Sequence, residues 1–351
     1  MPAGSLLLIS ALSSLTPALL SASIGQGGGL TAAAAASGRP PECGSASGSA
    51  SGSRRALTRG PSIWELARVP SLQRYCDLMA RAQTQLTTLP QEAKKAALEA
   101  DKALPGRAPP AVVLARAALA LGGADAVEEA AQAFARARAI DARSVEDPST
   151  MRDLARVLAR TGKRDEALAV YRALVPRVDL LGTTALRVSV LLEAAHLSMT
   201  VEGAGGAAPS VAELATPRVT PRPHLDEAVA YLREARQRPP TQLAGDVLLS
   251  LALVLDRVGD RDEAAATLTE AQRNGARRLR EPVEYLAAPE DGAALDALAA
   301  EGGDRAPAQK AWEAYLAGPG GKGPWAAAAK ARLEAIKKGG GRPAPAKGRG
   351  R

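Results

Sequence analysis

The chain has 351 residues, of which 46% are hydrophobic but only 3% are aromatic. A buried core is possible, and it must be built mainly from alanine and leucine, which are among the best helix formers. The net charge is +8, yet residues 337–351 carry +6 and residues 1–60 carry +3, which leaves −1 between them. A near-neutral body argues against a specific nucleic-acid binder, which needs a basic surface. The composition predicts an all-α protein.

Residues 1–23 are a candidate secretory signal peptide. Residues 5–20 are apolar apart from several serines, and small residues follow at 21–23. This stretch is too short and too interrupted for a membrane-spanning helix, and it fits the apolar part of a leader. No Lys or Arg precedes Arg39, so the usual basic start is missing. We expect export to the periplasm or cell envelope, with no transmembrane span in the mature chain; the alternative is a cytoplasmic protein with an apolar tail.

Two further segments have low complexity. Residues 24–61 are rich in Gly, Ala and Ser, and residues 338–351 are rich in Gly, Lys and Arg. Such compositions cannot bury enough apolar surface to become ordered. We therefore expect a flexible linker and a basic, disordered tail.

The chain contains two cysteines, Cys43 in the linker and Cys76 in the first helical region. In an exported chain the two could form a disulfide. The alternative is that Cys76 is a small buried apolar residue and that Cys43 remains free.

A helical repeat extends over residues 62–337. Six times, an alanine is followed by an apolar or small residue four positions later and by another three positions after that, which places each trio on one helix face. The leading residues are Ala96, Ala130, Ala167, Ala228, Ala264 and Ala308. The steps between them are 34, 37, 61, 36 and 44 residues, so the period is near 34 and the longest step contains an insertion.

Two copies of the repeat match over a longer stretch. In each copy a glycine ends the first helix, because glycine adopts the left-handed conformation readily, and an aspartate begins the second. The matching positions are Ala155, Gly162, Ala167 and Tyr171 in one copy, and Ala252, Gly259 and Ala264 in the other.

Residues 154–175 and 251–273 resemble tetratricopeptide repeats. The resemblance implies a right-handed superhelical array of antiparallel helix pairs, an α-solenoid in which the matching alanines mark close helix contacts. The tryptophan typical of the family's first helix is replaced here by Met151 and Leu248.

The repeat predicts six helix pairs and a final capping helix. The pairs are 72–87 with 91–103, 110–121 with 125–139, 149–160 with 164–175, 183–200 with 224–237, 243–257 with 261–273, and 290–300 with 306–317. Residues 325–338 are the capping helix, which a repeat array needs to cover its last apolar face. Residues 201–222 are predicted to be a loop within the fourth pair, because their Gly and Pro residues break helices. We expect a tolerated surface insertion; the alternative is a functional loop.

No sequence pattern indicates catalysis, a cofactor or a metal. His196 and His224 flank the predicted loop, but the chain has neither a His-Glu-x-x-His nor a paired Cys-x-x-Cys pattern. We expect both histidines to be surface or helix-end residues.

The candidate binding residues are arginines. Arg152, Arg156 and Arg160 follow one another at steps of four and therefore share one stripe of a helix, and Arg116 occupies the position of Arg156 in the preceding repeat. The family resemblance implies that first helices line a concave groove in which peptides bind. Guanidinium groups there would hold a carboxylate of an acidic peptide or a chain end; the alternative is an ordinary solvated face.

The sequence thus predicts a non-enzymatic scaffold that binds a protein or peptide partner. One alternative is an accessory domain of an enzyme that uses the 201–222 loop. Another is a binder of envelope polymer or nucleic acid through the tail, although that tail has no aromatic residue to stack on bases.

Overall fold

The computed structural model describes Cys43 and residues 63–205, 222–237, 239–279, 286 and 288–338. These residues form helices and connections without a strand, which confirms the all-α prediction. The α-helices that the structure describes lie in the compact unit Ser47–Arg351. The predicted signal peptide lies outside the described residues, as do the linker apart from Cys43 and the basic tail apart from Lys338.

The described part of the chain contains thirteen α-helices. They are α1 (Ile63–Gln85), α2 (Pro90–Ala103), α3 (Ala108–Leu121), α4 (Ala124–Ile140), α5 (Pro148–Arg160), α6 (Arg164–Leu174), α7 (Thr184–Gly205), α8 (Pro223–Gln237), α9 (Ala244–Val258), α10 (Arg261–Arg273), α11 (Asp291–Glu301), α12 (Arg305–Ala317) and α13 (Ala326–Lys337). Short 3-10 helices occur at Ala142–Val145, Val175–Leu180 and Pro319–Gly321. Apart from the start of α1 and the end of α7, every bound lies within two residues of its prediction.

The two exceptions concern helices that continue through residues expected to break them. Helix α1 runs through Pro70, which is exposed, so water can satisfy the carbonyl that proline leaves without a partner. Helix α7 continues to Gly205, and the loop predicted at 201–222 therefore begins later; residues 206–221 lie outside the described part. Residues 190–199 of α7 are all buried, and their packing outweighs the roughly 1 kcal/mol that a glycine costs in a helix.

Helices pack chiefly against their neighbours in sequence, as in an α-solenoid. Three apolar clusters follow one another along the chain. The first extends from α3 to α7, the second from α7 to α10, and the third from α9 to α13. Helices α7 and α9 each belong to two clusters, so the core is continuous through this part of the array.

The repeat positions lie where helices meet or end. Gly162 and Gly259 have φ angles of +81° and +99°, and both follow the last turn of a first helix. The Asp260 side chain accepts a hydrogen bond of 3.2 Å from the Glu263 backbone N–H and thereby caps α10. The other repeat residues are buried: Ala155, Ala167, Tyr171, Ala252 and Ala264.

Ion pairs connect the second helices of successive pairs, and we call this set the second-helix ladder. Two pairs join α2 to α4, one joins α6 to α8, and two join α8 to α10. They are Lys94–Glu129, Asp101–Arg136, Arg172–Glu227, Arg233–Glu263 and Arg236–Glu270. Most of these side chains are substantially exposed, so each pair contributes only about 0–1 kcal/mol to stability. The pairs identify which residues of neighbouring second helices face each other.

Candidate functional site

Two of the predicted binding arginines share one buried carboxylate. Arg152 donates to Glu193 of α7 through Nε at 3.1 Å and Nη2 at 2.6 Å. The Nε atom of Arg156 lies 3.5 Å from Oε1 of the same carboxylate, and the Tyr171 hydroxyl donates to Oε2 at 2.9 Å. The Glu193 side chain is only 2% exposed. The arginine stripe of α5 therefore packs against an acid from the next helix pair.

The contact with Glu193 favours the protonated, charged form of Arg152. Burial acts to lower the pKa of its guanidinium, but the hydrogen bonds and the charge of Glu193 outweigh burial and raise the pKa. Because Glu193 already occupies two of its N–H groups, Arg152 chiefly holds α5 and α7 together.

A second ion pair extends the arrangement to α3. The Nε atom of Arg116 lies 2.9 Å from Oδ2 of Asp153, which is on α5. Burial raises the pKa of the Asp153 carboxyl, against the opposing charges of Arg116, Arg156 and Arg152. Arg116 of α3 therefore contacts α5, the helix that carries the other predicted binding arginines.

The last predicted arginine lies at the edge of this group. Arg160 is exposed at the final residue of α5, and the Arg156 side chain is 28% exposed. We call the side of α3 and α5 that carries Arg116, Arg152, Arg156 and Arg160 the first-helix surface. The structure brings the first three together around two carboxylates; that a partner binds there stays a prediction.

The acidic partners were not identified from the sequence, although a signal for one of them exists. Asp153 follows Arg116 by 37 residues, and Glu193 follows Arg152 by 41. The separation of 37 residues equals the step from Ala130 to Ala167, so the repeat would have pointed to Asp153. The separation of 41 residues is seven longer than the period of about 34, so the repeat alone would not have pointed to Glu193.

The other end of the array has a buried ion pair that the sequence analysis missed. Arg257 of α9 contacts Asp291, the first residue of α11, and both side chains are at most 4% exposed. Asp291 also accepts a hydrogen bond of 3.0 Å from the Ala288 N–H. Buried charges persist only when they are paired in this way.

The capping helix is held by a second charged group. Arg332 of α13 contacts Asp256 of α9 and lies 3.2 Å from Glu301 of α11. The indole N–H of Trp312 donates to Glu301 at 2.7 Å, and the Arg332 guanidinium lies 5.3 Å from the centre of the Trp312 ring. Burial acts to lower the pKa of Arg332, but Asp256 and Glu301 outweigh it and raise the pKa.

A small cleft lies beside these two groups, and we call it the C-terminal cleft. Its lining comes from α9 to α13 and the residue before α13. The lining residues are Leu253, Asp256, Arg257, Arg261, Ala294, Trp312, Tyr315, Trp325, Ala328, Ala329 and Arg332. The cavity volume is about 30 Å³, which is room for about two water molecules. Only 3% of the residues are aromatic, yet three aromatic residues lie between positions 312 and 325. This clustering in the sequence would have indicated the cleft.

The expectation for the histidines is wrong for His196. This residue is fully buried in α7, and its Nε2 lies 2.7 Å from the Ser250 hydroxyl. Burial, aided by the charge of Arg257 and opposed by Asp291, lowers the pKa of His196 to about 4. His224 does lie at a helix end, beside Arg172. Within the described ranges, no group of three or more His, Cys, Asp or Glu side chains could hold a metal ion.

Cys43 and Cys76 are both disulfide-bonded, so neither of the described cysteines is a free thiol. This state contradicts the alternative in which Cys43 remains free, and it is the state that exported proteins commonly have.

No protein-family model matches the sequence, and no curated protein matches it significantly. Among the helices that the structure describes, none combines the length and the apolar character needed to cross a membrane.

Proposed function

We propose that this protein is a non-enzymatic scaffold of the tetratricopeptide-repeat kind. Its helix pairs are antiparallel and stack into a right-handed superhelix, and its first-helix surface binds a carboxylate-bearing segment of a protein or peptide partner. Each pair has an apolar stripe that it cannot bury alone, so stacking produces both the core and an extended surface.

The second-helix ladder supports antiparallel pairing. From Lys94–Glu129 to Asp101–Arg136, the position advances by seven residues on both α2 and α4, so these helices run in the same direction. Helix α3 lies between them in the chain, with only short connections on either side. Because α2 and α4 are parallel and α3 connects them through short links, we expect α3 to run in the opposite direction to both.

The observation that carries the binding proposal is the convergence of arginines from successive first helices. Arg116 comes from α3, whereas Arg152 and Arg156 come from α5, and the carboxylates of Asp153 and Glu193 hold them. The three guanidinium groups thus come from two successive first helices and meet on one side of the array. Guanidinium groups held in place by neighbouring carboxylates lose less freedom when a ligand carboxylate binds, and this preorganisation favours affinity.

We also propose that the protein is exported. The apolar residues 5–20 suit a secretory leader. The disulfide-bonded state of Cys43 and Cys76 suits an oxidising compartment.

The test is affinity capture from the native cell with a double variant, Arg156→Gln with Arg160→Gln. Arg152 is left unchanged because its loss would strand the buried Glu193. Arg138→Gln is the matched control, since Arg138 is an exposed arginine in the last turn of α4, a second helix. We expect the double variant to lose the partners that the wild type and the control retain, with unchanged circular dichroism. Equal recovery of those partners by all three proteins would refute the proposal.

A further inference from the structure

The C-terminal cleft combines aromatic and guanidinium groups at the opposite end of the array from the first-helix surface. Trp325 precedes α13 and is partly exposed. The guanidinium groups of Arg257 and Arg222 lie 5.2 and 5.9 Å from the centre of its ring. Tryptophan and arginine are the side chains most enriched where binding energy concentrates in protein interfaces.

Two of the three arginines that line the cleft already have acidic partners. Arg257 is paired with Asp291, and Arg332 is shared between two carboxylates. Three carboxylates, those of Asp291, Asp256 and Glu301, contact these two arginines. Arg257 and Arg332 therefore form the wall of the cleft and leave no positive charge for a ligand.

Arg261 is different, because it lines the cleft and is exposed as the first residue of α10. Among the described residues, Arg261 makes no ion pair, unlike Arg257 and Arg332. Arg222 donates to the Arg257 carbonyl at 2.9 Å, a contact that leaves its charge without an acidic partner. Among the described residues, the arginine that lines the cleft without an acidic partner is therefore Arg261, and Arg222 lies 5.9 Å from the centre of the Trp325 ring.

The size of the cleft limits what can enter it. A cavity of about 30 Å³ accepts two atoms of the size of water oxygens, whereas pockets for drug-sized ligands and cofactors measure about 300–1,000 Å³. Two oxygens are what a carboxylate presents, and a planar guanidinium binds them in a bidentate manner. A nucleotide or an aromatic ring is too large.

The turn before Trp325 packs on another residue of the cleft. A Cβ atom on Gly320 would overlap the ring of the buried Tyr315. Because Tyr315 lines the cleft, a side chain at position 320 would displace part of the cleft wall.

We propose that the C-terminal cleft is a binding site for one carboxylate group, an Asp or Glu side chain or a chain end of a protein partner, bound by Arg261 beside Trp325. It is a second site, separate from the first-helix surface. Together the two sites would let one acidic partner contact the array at two places, and each could bind without the other.

The test uses tryptophan emission of the full chain, because Trp312 and Trp325 both line the cleft. The probe is an amidated hexaglutamate peptide, compared with hexaglutamine and with inorganic phosphate. We expect a saturable emission change with hexaglutamate alone, and the change should be smaller in Trp325→Phe, in which Trp312 is the remaining indole of the cleft. In Arg261→Gln the dissociation constant should rise at least tenfold, while Arg273→Gln, an exposed arginine at the other end of α10, should bind like the wild type.

This experiment distinguishes binding at the C-terminal cleft from binding at the first-helix surface. The Arg156→Gln, Arg160→Gln double variant should keep the full emission change, since its substitutions lie on α5. If Arg261→Gln titrates like the wild type, or if the double variant abolishes the response, the cleft is not the site. An equal response to phosphate at the same concentration would overturn the carboxylate assignment.

Discussion

Replacing the buried carboxylate of Glu193 should destabilise the array strongly. In Glu193→Gln, the side chain keeps its size and one oxygen acceptor but loses its charge. Arg152, whose side chain is 13% exposed, then lacks its anionic partner, and the Tyr171 hydroxyl and Arg156 compete for the remaining oxygen. Breaking a buried pair by removing one partner costs about 3–5 kcal/mol. Because Arg152 retains some contact with solvent, we expect about 3 kcal/mol.

The measurement is urea denaturation followed by circular dichroism at 222 nm. The control is Glu270→Gln, which breaks a ladder pair whose Glu270 and Arg236 side chains are 44% and 39% exposed. The control should lose only about 0–1 kcal/mol. If Glu193→Gln shifts the urea midpoint no more than Glu270→Gln does, the Glu193 contacts do not stabilise the array, and the account of the first-helix surface given above is refuted.

Three further predictions concern stability. Gly259→Ala should cost about 1–2 kcal/mol because its φ is +99°. Gly292→Ala lies in the first turn of α11 with open space around the added Cβ, and it should be neutral or stabilise by up to about 0.5 kcal/mol. Thermal melts that rank these two variants equally would contradict this reasoning. Unfolded His196 takes up a proton near pH 6.5 but the folded residue does so only near pH 4, so stability should fall as the pH drops between these values, by about 3 kcal/mol in all. His196→Gln should show a shallower fall between pH 6.5 and 5, and an unchanged slope would exclude the histidine as the cause. Arg332→Met should release α13 from α9 and α11, increasing amide hydrogen exchange in α13 while leaving α2 and α3 as protected as in the wild type; exchange as slow as the wild type's in α13 would show that apolar packing alone holds it.

The helices could be predicted from sequence because their signals are local. The trios led by Ala167 and Ala264 recur within single helices, and Gly162 and Gly259 end helices through their own backbone conformation. Local signals did not predict the end of α7, which lies at Gly205 and not at residue 200. The buried packing of residues 190–199 outweighs the preference of glycine against helix.

The site was predictable only in part, because its contacts are distant in sequence. Steps of four placed Arg152 and Arg156 on one helix face, but their shared partner Glu193 comes from another helix pair. His196 was expected to be a surface or helix-end residue, since no local pattern shows that Ser250, 54 residues later, would meet it in the core. Side-chain identity predicts which chemistry is available, whereas burial depends on how the pairs stack.

The second-helix ladder also shows where the chain tolerates added length. Arg172 and Glu227 are 55 residues apart, although the other ladder partners are separated by 30 to 35. Part of this additional length lies between Gly205 and Arg222, and the contact between α6 and α8 is kept. An epitope or a fluorescent label inserted directly after Gly205, away from Arg222 and its contact with Trp325, could therefore be used to follow the protein in the cell.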